Sequence, residues 1–205
     1  MNIGILGSGR IGATAAELFA RAGHSVAISN SKGPESLSSL DASLGSNVRA
    51  MSAEDAVKFG ELILLAVPWA KRNELPPASF FENKIVIDAM NAYGPQGVID
   101  MSPGTSSEEV LKQMPGARLV KAFNTMHYET LKTGGGKAGP DRLVLFVAGD
   151  DSEAKDSVAR LIAEIGFAAV DTGFLHEGGR RQQPDSPIYN RPMTIEEAKK
   201  ILENL

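Results

Sequence analysis

The stretch NIGILGSGRIG, residues 2–12, decides the fold of this chain. It opens with a short apolar run, Asn2–Leu6, which leads directly into Gly7–Gly12 with the spacing Gly-x-Gly-x-x-Gly. A helical pattern, Ile11–Ala22, follows without a break. A buried strand, this glycine spacing and a helix in this order are typical of a dinucleotide-binding unit, whereas the spacing alone also occurs in ordinary tight turns.

Each glycine of this motif has its own predicted role. Gly7 permits a tight turn, Gly9 lets backbone approach the pyrophosphate of a dinucleotide, and Gly12 lets the helix pack on the strand. The start of the helix presents free backbone amides and the positive end of its dipole to the phosphates. Arg10, inside the loop, is placed either to reach a further phosphate or to stack on adenine.

Apolar runs of strand length recur along the rest of the chain. They are rich in Val and Ile, as in strands covered on both faces, and they lie at Ser25–Ser29, Val48–Met51, Leu62–Val67, Ile85–Asp88, Leu119–Ala122, Leu143–Ala148 and Ala168–Asp171. Helical patterns separate many of them, at Ile11–Ala22, Glu35–Leu44, Ala53–Lys58, Ser107–Met114 and Ser152–Ile165. This alternation predicts an α/β fold with a doubly wound, mostly parallel sheet.

The C-terminal tail departs from this alternation. From Phe174 onward it has the pattern of a polar loop followed by one amphipathic helix, Thr194–Asn204, which begins with a capping-box pair. Two further stretches rich in Gly and Pro are predicted loops, at Met90–Thr105 and Lys132–Arg142. Because no linker is evident, we predict one domain over residues 1–205, with residues 174–205 as its C-terminal extension.

Composition excludes several classes of function. The chain has no cysteine, which excludes disulfides, a cysteine nucleophile and cysteine-ligated metal centres. Its three histidines lack the spacing of metal ligands, so no metal site is expected. A net charge of −4 gives no reason to expect nucleic acid or a membrane surface as partner. No apolar run approaches the ~20 residues that span a bilayer, and the N-terminus lacks signal-peptide features. We therefore expect a cytoplasmic protein.

The end of the second apolar run indicates which dinucleotide binds. In NAD-binding units this strand end carries an acidic residue that holds the ribose hydroxyls. Here it carries Ser29, Asn30, Ser31 and Lys32, with no acidic residue before Glu35. Hydroxyl, amide and ammonium donors suit a 2′-phosphate, which a carboxylate would repel, so the sequence favours NADP. The alternative is that Lys32 is a solvated loop charge and Ser31 a turn residue.

Three more apolar runs end in residues that are candidates for the same cleft, because ligands bind outside the carboxyl ends of parallel strands. Trp69, the only tryptophan, either walls the cleft or is half-buried in its loop. Asp88 is either a ligand contact or a structural cap, and Asn91 follows it. Asn124 and Thr125 follow the next run, where Asn124 is placed to hydrogen-bond a carboxamide or an acceptor carbonyl.

The sequence shows no obvious acid–base machinery. It has no nucleophile elbow. His127, at the start of a loop, is either structural or, like Asn124, a weak catalytic candidate. Hydride transfer between two redox cofactors needs mainly the face-to-face positioning of two rings.

These motifs resemble those of a known family. The blocks GSGRIG, SNSKGPESL, AVPW, DAMN, VKAFNT and GGRRQQPDSPIY, in this order, resemble the NADP oxidoreductases dependent on coenzyme F-420, from Met1 to about Tyr189. The resemblance implies a Rossmann fold with a small C-terminal extension, a homodimer, and hydride exchange between NADP(H) and the deazaflavin coenzyme F-420.

The resemblance also implies where the cofactor lies. It places the 2′-phosphate on Ser31 and Lys32 and the pyrophosphate on Ser8–Ile11. The remaining cofactor residues that it implies, at and beside the nicotinamide, are Val67, Pro68, Asn91 and Asn124.

Two adjacent arginines in the tail, Arg180 and Arg181, are either solvated or bind the acceptor. Gly178 and Gly179 precede them and suggest a mobile loop. A deazaflavin coenzyme carries anionic groups, which guanidinium groups bind in bidentate fashion. If the last strand is parallel to the others, its end lies on the cofactor side. The predicted acceptor site then comprises Trp69, Thr125, Arg180 and Arg181.

Other functions stay open from the sequence. The protein could reduce another flavin, a ferric complex, or a small carbonyl or imine substrate, and the last of these would need a proton donor such as His127 or Tyr93. It could also be a non-catalytic NADPH-binding sensor. The C-terminal helix carries apolar residues at helical spacing that pack either on the domain or on a second subunit, namely Ile195, Ala198, Ile201 and Leu202.

Overall fold

The computed structural model describes the backbone of all 205 residues and the side chains of residues 1–40 and 44–205. The strands are β1 (Asn2–Leu6), β2 (Ser25–Ser29), β3 (Val48–Ala50), β4 (Leu62–Leu65), β5 (Ile85–Asp88), β6 (Tyr93–Gly94), β7 (Gly97–Val98), β8 (Arg118–Ala122), β9 (Val144–Ala148) and β10 (Ala168–Gly173). The helices are α1 (Arg10–Arg21), α2 (Ser38–Leu44), α3 (Ala53–Phe59), α4 (Ser106–Gln113), α5 (Tyr128–Thr133), α6 (Ser152–Glu164), α7 (Leu175–Arg181) and α8 (Ile195–Leu202).

Eight of the strands form one sheet in the order β10-β9-β8-β5-β4-β1-β2-β3. Near its middle, β1 pairs in parallel with β2 on one side and with β4 on the other. The strand order therefore reverses at β1, and a crevice opens outside the carboxyl ends of β1 and β4, which is where open α/β sheets bind their ligands. The predicted doubly wound, mostly parallel Rossmann-type sheet is confirmed.

The last two strands run against the other six. β9 pairs antiparallel with β8, and β10 pairs in parallel with β9. The carboxyl end of β10 therefore lies on the side of the sheet opposite to the crevice, together with the amino ends of the other six strands. The condition on which the sequence placed Arg180 and Arg181 beside the cofactor, a last strand parallel to the others, is not met.

The segment after β10 is a helix and not the predicted polar loop. Gly178 and Gly179 are buried within α7, where a Cβ on Gly178 would come 2.7 Å from the Cβ of Ala148 and 2.8 Å from the hydroxyl of Thr172. These glycines let the helix pack closely on the sheet, and they do not provide the mobility that the sequence suggested. Glycine is unfavourable inside an isolated helix, so tertiary packing forms α7 against the local preference of its sequence.

Two small elements lie inside regions that the sequence left irregular. The hairpin of β6 and β7 pairs Tyr93 with Val98 within the predicted loop after β5. α5 follows β8, and His127 lies at its N-terminal boundary. Both elements have fewer than seven residues, which is too short for hydrophobic periodicity to reveal them.

Apolar side chains pack against both faces of the sheet. One core lies under α1, α5 and α6 and contains Phe19, Leu131 and Val158. A second lies on the opposite face under α3 and α4 and contains Val57 and Val110. A third packs α8 against β9 and β10, with Ala198 fully buried. The apolar stripe of the C-terminal helix therefore packs on the domain through Ala198, whereas Ile195, Ile201 and Leu202 are only partly buried.

A buried ion pair joins β5 to β8 inside the protein. Asp88 and Lys121 are neighbours across the two strands, and their side chains are 0% and 1% exposed. The Lys121 ammonium lies 3.1 Å from Oδ2 of Asp88, which also accepts a hydrogen bond of 2.6 Å from the Ser107 hydroxyl. Of the two roles open for Asp88, the structure supports the structural one, because its carboxylate points into the protein.

The ion pair also holds the loop that leaves β5. The other oxygen of Asp88 accepts the Met90 amide at 2.9 Å, and the Lys121 ammonium donates to the Met90 carbonyl. Both polar groups of residue 90 are thus fixed by buried charges. This fixes the direction of the chain into Asn91.

Replacing Lys121 with methionine should lower the free energy of unfolding by about 3–5 kcal/mol, because it leaves the Asp88 carboxylate buried without its partner. Urea unfolding of the single variant and of Asp88→Asn with Lys121→Met measures this. The double variant should recover part of the loss, because no buried charge remains. A loss below about 1 kcal/mol in the single variant, the size expected of an exposed pair, would contradict the prediction.

Candidate functional site

A cleft of about 720 Å³ lies outside the carboxyl ends of β1, β4 and β5. Loops that follow four strands line it, those after β1, β2, β4 and β5. Most of the cofactor residues expected from the sequence line this cleft, namely Gly7, Ser8, Gly9, Arg10, Ile11, Ser29, Asn30, Ser31, Val67, Pro68 and Asn91. The structure therefore brings together residues that lie up to 84 positions apart, from Gly7 to Asn91.

The glycine loop forms one end of the cleft. Gly7 has a positive φ of 110°, and a Cβ there would collide with the Ala66 carbonyl. A Cβ on Gly12 would collide with the Gly7 carbonyl, so this glycine lets α1 start directly against β1. Around Gly9, by contrast, no described atom lies within 4 Å of an added Cβ. The space beside Gly9 is therefore open to a ligand, as the predicted pyrophosphate contact requires.

The start of α1 suits an anion. Its N-terminal boundary, Gly9, has no side chain to cap the helix, and the first turn carries no acidic residue. The first backbone amides of the helix are thus free to donate to phosphate oxygens, with the positive end of the dipole behind them.

Replacing Gly9 with alanine should leave the protein folded but weaken NADPH binding at least tenfold, about 1.4 kcal/mol. The added methyl meets no protein atom, so it would displace only a ligand phosphate. Calorimetric titration with NADPH and a thermal melt measure the two effects. The matched variant Gly12→Ala should instead lower the melting temperature, because its methyl collides with backbone. Unchanged NADPH affinity in Gly9→Ala would contradict the predicted approach of the pyrophosphate.

Two of the polar residues at the end of β2 form hydrogen bonds within the protein. The buried Ser29 hydroxyl donates to the Ile5 carbonyl at 3.1 Å. The Asn30 side chain accepts the Lys32 amide at 2.9 Å and donates to the Ser36 hydroxyl at 3.0 Å. Ser29 and Asn30 therefore shape the loop, although both border the cleft.

Ser31 and Lys32 are the exposed residues of this loop. Among the side chains that the structure describes, none forms an ion pair with the Lys32 ammonium. Ser31 lines the cleft, whereas Lys32 is not one of its lining residues. The binding of a 2′-phosphate by these two residues stays a prediction.

The loop after β4 forms a wall of the cleft. Val67 and Pro68 line it, together with Trp69, whose side chain is only 6% exposed and belongs to the core under α3 and α4. The Arg72 guanidinium lies 4.3 Å from the centroid of the Trp69 ring. Trp69 therefore forms a wall of the cleft and also anchors its loop in the core. The sequence had left two alternatives for it, a wall of the cleft or a half-buried position in the loop.

Two asparagines interlock next to this wall. The Asn91 amide donates to the Asn124 carbonyl, and the Asn124 amide donates to Oδ1 of Asn91, each at 3.0 Å. The Asn124 amide also donates to the Gln182 carbonyl at 2.7 Å, which fixes its orientation. Its own Oδ1 is buried and accepts no hydrogen bond from the described residues. An orphaned acceptor here fits the amide group of a nicotinamide carboxamide.

A strained backbone precedes Asn124. Phe123, at the end of β8, has a φ of 65°, in the left-handed region that bulky residues rarely adopt. Its side chain is 1% exposed and packs edge-on against Phe19, with ring centroids 5.8 Å apart. Packing therefore holds a conformation that turns the chain sharply just before Asn124. Strain of this kind is commonly found at functional sites.

Several residues expected at the site do not line the cleft, and the buried Asn124 is one of them. Thr125 is buried, and its carbonyl accepts the Asn190 amide at 2.7 Å. His127 lies at the start of α5 with its Nδ1 3.6 Å from the Glu129 carboxylate.

The two tail arginines are also engaged outside the cleft. Arg180 donates to the Pro103 carbonyl at 3.0 Å, and Arg181 donates to the Thr172 carbonyl at 2.9 Å. Both belong to α7 and not to a loop. Their predicted role in binding the acceptor is not supported by these positions.

The structure adds Tyr189 to the neighbourhood of the asparagines. The hydroxyls of Tyr93 and Tyr189 are 3.1 Å apart, and the Asn91 amide lies 3.4 Å from the Tyr189 hydroxyl. Burial and the neighbouring Tyr93 raise the pKa of Tyr189 well above its ordinary value. The block that contains Tyr189 was recognised only as a family motif, and Tyr93 only as a proton donor for another function. No local pattern predicts that the two meet, because they lie 96 residues apart.

Two kinds of feature are absent from the described residues, a metal-binding cluster and a helix that could cross a membrane. No group of three or more His, Cys, Asp or Glu side chains among them is arranged to hold a metal ion. None of the helices in the described part of the chain is long and apolar enough to cross a membrane.

Comparison with known proteins gives consistent results. The family model of NADP oxidoreductases that depend on coenzyme F420 matches residues 2–92. Hypothetical protein SMa0349 of Sinorhizobium meliloti is 36% identical, with a TM-score of 0.83 and 95% of each chain covered. A protein of Arthrobacter sp. FB24, provisionally named an F420-dependent NADP reductase, is 27% identical, with a TM-score of 0.73 over 85% of this chain and 86% of that one.

A rat protein named metalloreductase STEAP3 is also similar. It is 32% identical over 178 residues, which is 84% of this chain. The chain spans only 34% of the length of the rat protein. The likeness therefore concerns one part of that longer protein.

The fold, the cleft and these likenesses define a class of protein, an NADP-dependent oxidoreductase with a Rossmann fold. Within that class, residues 2–92 match the model of the coenzyme F420-dependent NADP oxidoreductase family. The residues present fit NADP, because they offer free helix amides, an open space beside Gly9 and an orphaned acceptor on Asn124.

Proposed function

We propose that the protein transfers a hydride between NADPH and a planar conjugated acceptor, a deazaflavin such as coenzyme F-420 or a flavin. One observation carries this proposal. The end of the cleft beyond the glycine loop offers a tryptophan wall and Asn91, which interlocks with the buried Asn124, while none of the described histidines lines the cleft. Such a site suits the positioning of two rings better than strong acid–base chemistry.

The roles of the residues follow from their positions. The amides at the start of α1 hold the pyrophosphate, and Ser31 with Lys32 holds the 2′-phosphate. Oδ1 of Asn124 accepts the carboxamide amide and so fixes which face of the nicotinamide ring is presented. Bound NADPH supplies the hydride. Val67, Pro68 and Trp69 keep water from one side of the rings, which strengthens the polar contacts inside the cleft.

The comparisons support two classes of acceptor. The family description and the name of the Arthrobacter protein point to a deazaflavin. The name of the rat relative points to a metal ion as the final electron acceptor. We favour the deazaflavin or flavin, because a ring system can stack on the nicotinamide and accept a hydride directly. Reduction of a ferric complex is the second candidate.

NADPH should bind at least tenfold more tightly than NADH, a difference of about 1.4 kcal/mol, because two exposed donors face the 2′-phosphate and no carboxylate repels it. Ser31→Ala and Lys32→Ala should each weaken NADPH and leave NADH nearly unchanged. Calorimetric titration of both dinucleotides measures this. Lys112→Ala is the matched control, since Lys112 is an exposed lysine of α4 that pairs with Glu109 away from the cleft. Equal affinities for NADPH and NADH in the wild type would contradict the choice of NADP.

The acceptor is identified by following NADPH oxidation with coenzyme F-420, FMN, ferric citrate and simple carbonyl compounds in parallel. We expect turnover with F-420 or FMN and none with the simple carbonyl compounds, because these compounds lack a ring system that can stack on the nicotinamide. Turnover with ferric citrate alone would favour the second candidate. Tight NADPH binding without turnover of any acceptor would contradict the proposal and favour a non-catalytic sensor.

We also propose that the protein is a cytoplasmic homodimer, as the family resemblance implies. The apolar stripe of α8 packs on the domain, where Ala198 is fully buried. The β6–β7 hairpin and its flank are the better candidate for the interface, because Val98 and Ile99 are 41% and 39% exposed. Light scattering that shows a monomer mass at all concentrations would refute the dimer.

A further inference from the structure

We propose that the hydroxyls of Tyr93 and Tyr189 act as one donor pair, which gives a hydrogen bond, and then a proton, to the acceptor. The receiving atom is the oxygen or nitrogen on which an electron pair collects as the hydride arrives. This inference rests on the proposed function and deepens it. It assigns a role to a tyrosine that neither the motifs nor the comparisons connect with the reaction.

Counting hydrogen bonds shows that the pair has one proton to spare. Two hydroxyls 3.1 Å apart share one hydrogen bond, which uses one of their two protons. The Asn91 amide can only donate, so it uses a lone pair of the Tyr189 oxygen and no proton. Whichever hydroxyl donates to the other, one proton remains, and none of the described residues accepts it. An oxygen or nitrogen atom of a ligand in the cleft can accept this proton in a hydrogen bond.

The pair lies at the correct end of the cleft. Tyr93 lines the cleft and is 45% exposed, and Asn91 lines it two residues earlier. Asn91 is bonded in turn to Asn124, whose free oxygen we assign to the nicotinamide carboxamide. The chain of hydrogen bonds therefore runs from the expected nicotinamide site to the two hydroxyls.

The protein fixes Tyr189 firmly from both sides. The preceding residue, Ile188, is 0% exposed in the core beneath α8. The following residue, Asn190, has a φ of 51° and donates its amide to the Thr125 carbonyl at 2.7 Å. A hydroxyl that only decorated a surface loop would not need such anchoring. Positioned donors of this kind stabilise charge that develops during a reaction without reorganising.

Tyr189 is suited to donate a hydrogen bond and not to act as a base. Burial of Tyr189 and its hydrogen bond with Tyr93 raise the pKa of Tyr189 above its ordinary value. Tyr189 therefore stays neutral and keeps its proton over the whole physiological pH range. A neutral hydroxyl can support an arriving negative charge, and it is regenerated afterwards by a proton from water through the exposed Tyr93.

The reaction balances with this assignment. The C4–H bond of the dihydronicotinamide breaks, and its hydrogen and electron pair form a new C–H bond on the electrophilic carbon of the acceptor. The π electrons of that carbon move along the conjugated system to an oxygen or nitrogen. That atom takes the hydroxyl proton, and water restores it. NADPH is oxidised to NADP⁺ and the acceptor is reduced by two electrons.

Three variants test the proposal: Tyr93→Phe, Tyr189→Phe and the double variant. Tyr128→Phe is the matched control, because it removes the hydroxyl of the third tyrosine, which donates to the exposed Glu129, and keeps its ring. Single-turnover hydride transfer from NADPH to the acceptor identified above, F-420 or FMN, is followed by stopped flow at saturating acceptor. The same reactions are run in H₂O and in D₂O, and the dissociation constant of NADPH and the melting temperature are measured for each variant.

The double variant should slow hydride transfer roughly 10²-fold, the lower range of effects for a positioned proton donor, without changing the NADPH dissociation constant. The wild type should show a normal solvent isotope effect, and the double variant should show none. Each single variant should be affected less, because the remaining hydroxyl regains a free proton. Tyr128→Phe should behave as the wild type.

Three results from the double variant would overturn the proposal. If the double variant transfers hydride as fast as the wild type, the hydroxyls only join the hairpin to the C-terminal extension. If its loss appears in the NADPH dissociation constant, they belong to the dinucleotide site. If its rate falls together with its melting temperature while the solvent isotope effect persists, their role is structural. If the wild type itself reduces no acceptor, the proposed function fails and this inference fails with it, whereas the other results spare the proposed function.

Discussion

The close contact between Gly12 and the carbonyl of Gly7 governs the geometry of the cleft. Because neither residue carries a side chain, α1 starts directly against the end of β1, where any Cβ on residue 12 would collide with backbone. The free amides of the helix then point into the crevice at which the strand order reverses. The loops after β2 and β4 form the sides of the same crevice, so their residues meet whatever the helix binds.

The other end of the cleft is held by a different physical means. There the fully buried pair of Asp88 and Lys121 fixes the amide and the carbonyl of Met90. The chain then leaves β5 in one direction, towards Asn91. Burying two charges is costly unless their geometry and remaining hydrogen bonds are good, and here both charges have additional partners. The glycine-loop end of the cleft thus depends on residues without side chains, and the Asn91 end depends on the buried ion pair.

The C-terminal extension completes this second end. β10 finishes at the far edge of the sheet, and α7 carries the chain back, so that the Gln182 carbonyl reaches the Asn124 amide. The segment that follows brings Tyr189 to Tyr93 and Asn91. The extension is therefore not an appendage to the dinucleotide-binding unit, because its backbone and side chains bond to residues at the carboxyl ends of β5 and β8.

The sequence by itself determined the parts of the protein that local physics controls. Buried strands are continuous apolar runs, so all eight strands of the main sheet could be located, and a glycine motif between a strand and a helix identified the phosphate loop. The absence of an acidic residue after β2 could also be read from the sequence, because the contact with the adenosine ribose depends on the residue types at one strand end. Only the tertiary structure decided the reversed direction of β9 and β10, the existence of α7, the pairing of Asp88 with Lys121 and the meeting of Tyr93 with Tyr189. These features depend on contacts between residues far apart in the chain, and in α7 packing outweighs an unfavourable local preference, so no local pattern in the sequence encodes them.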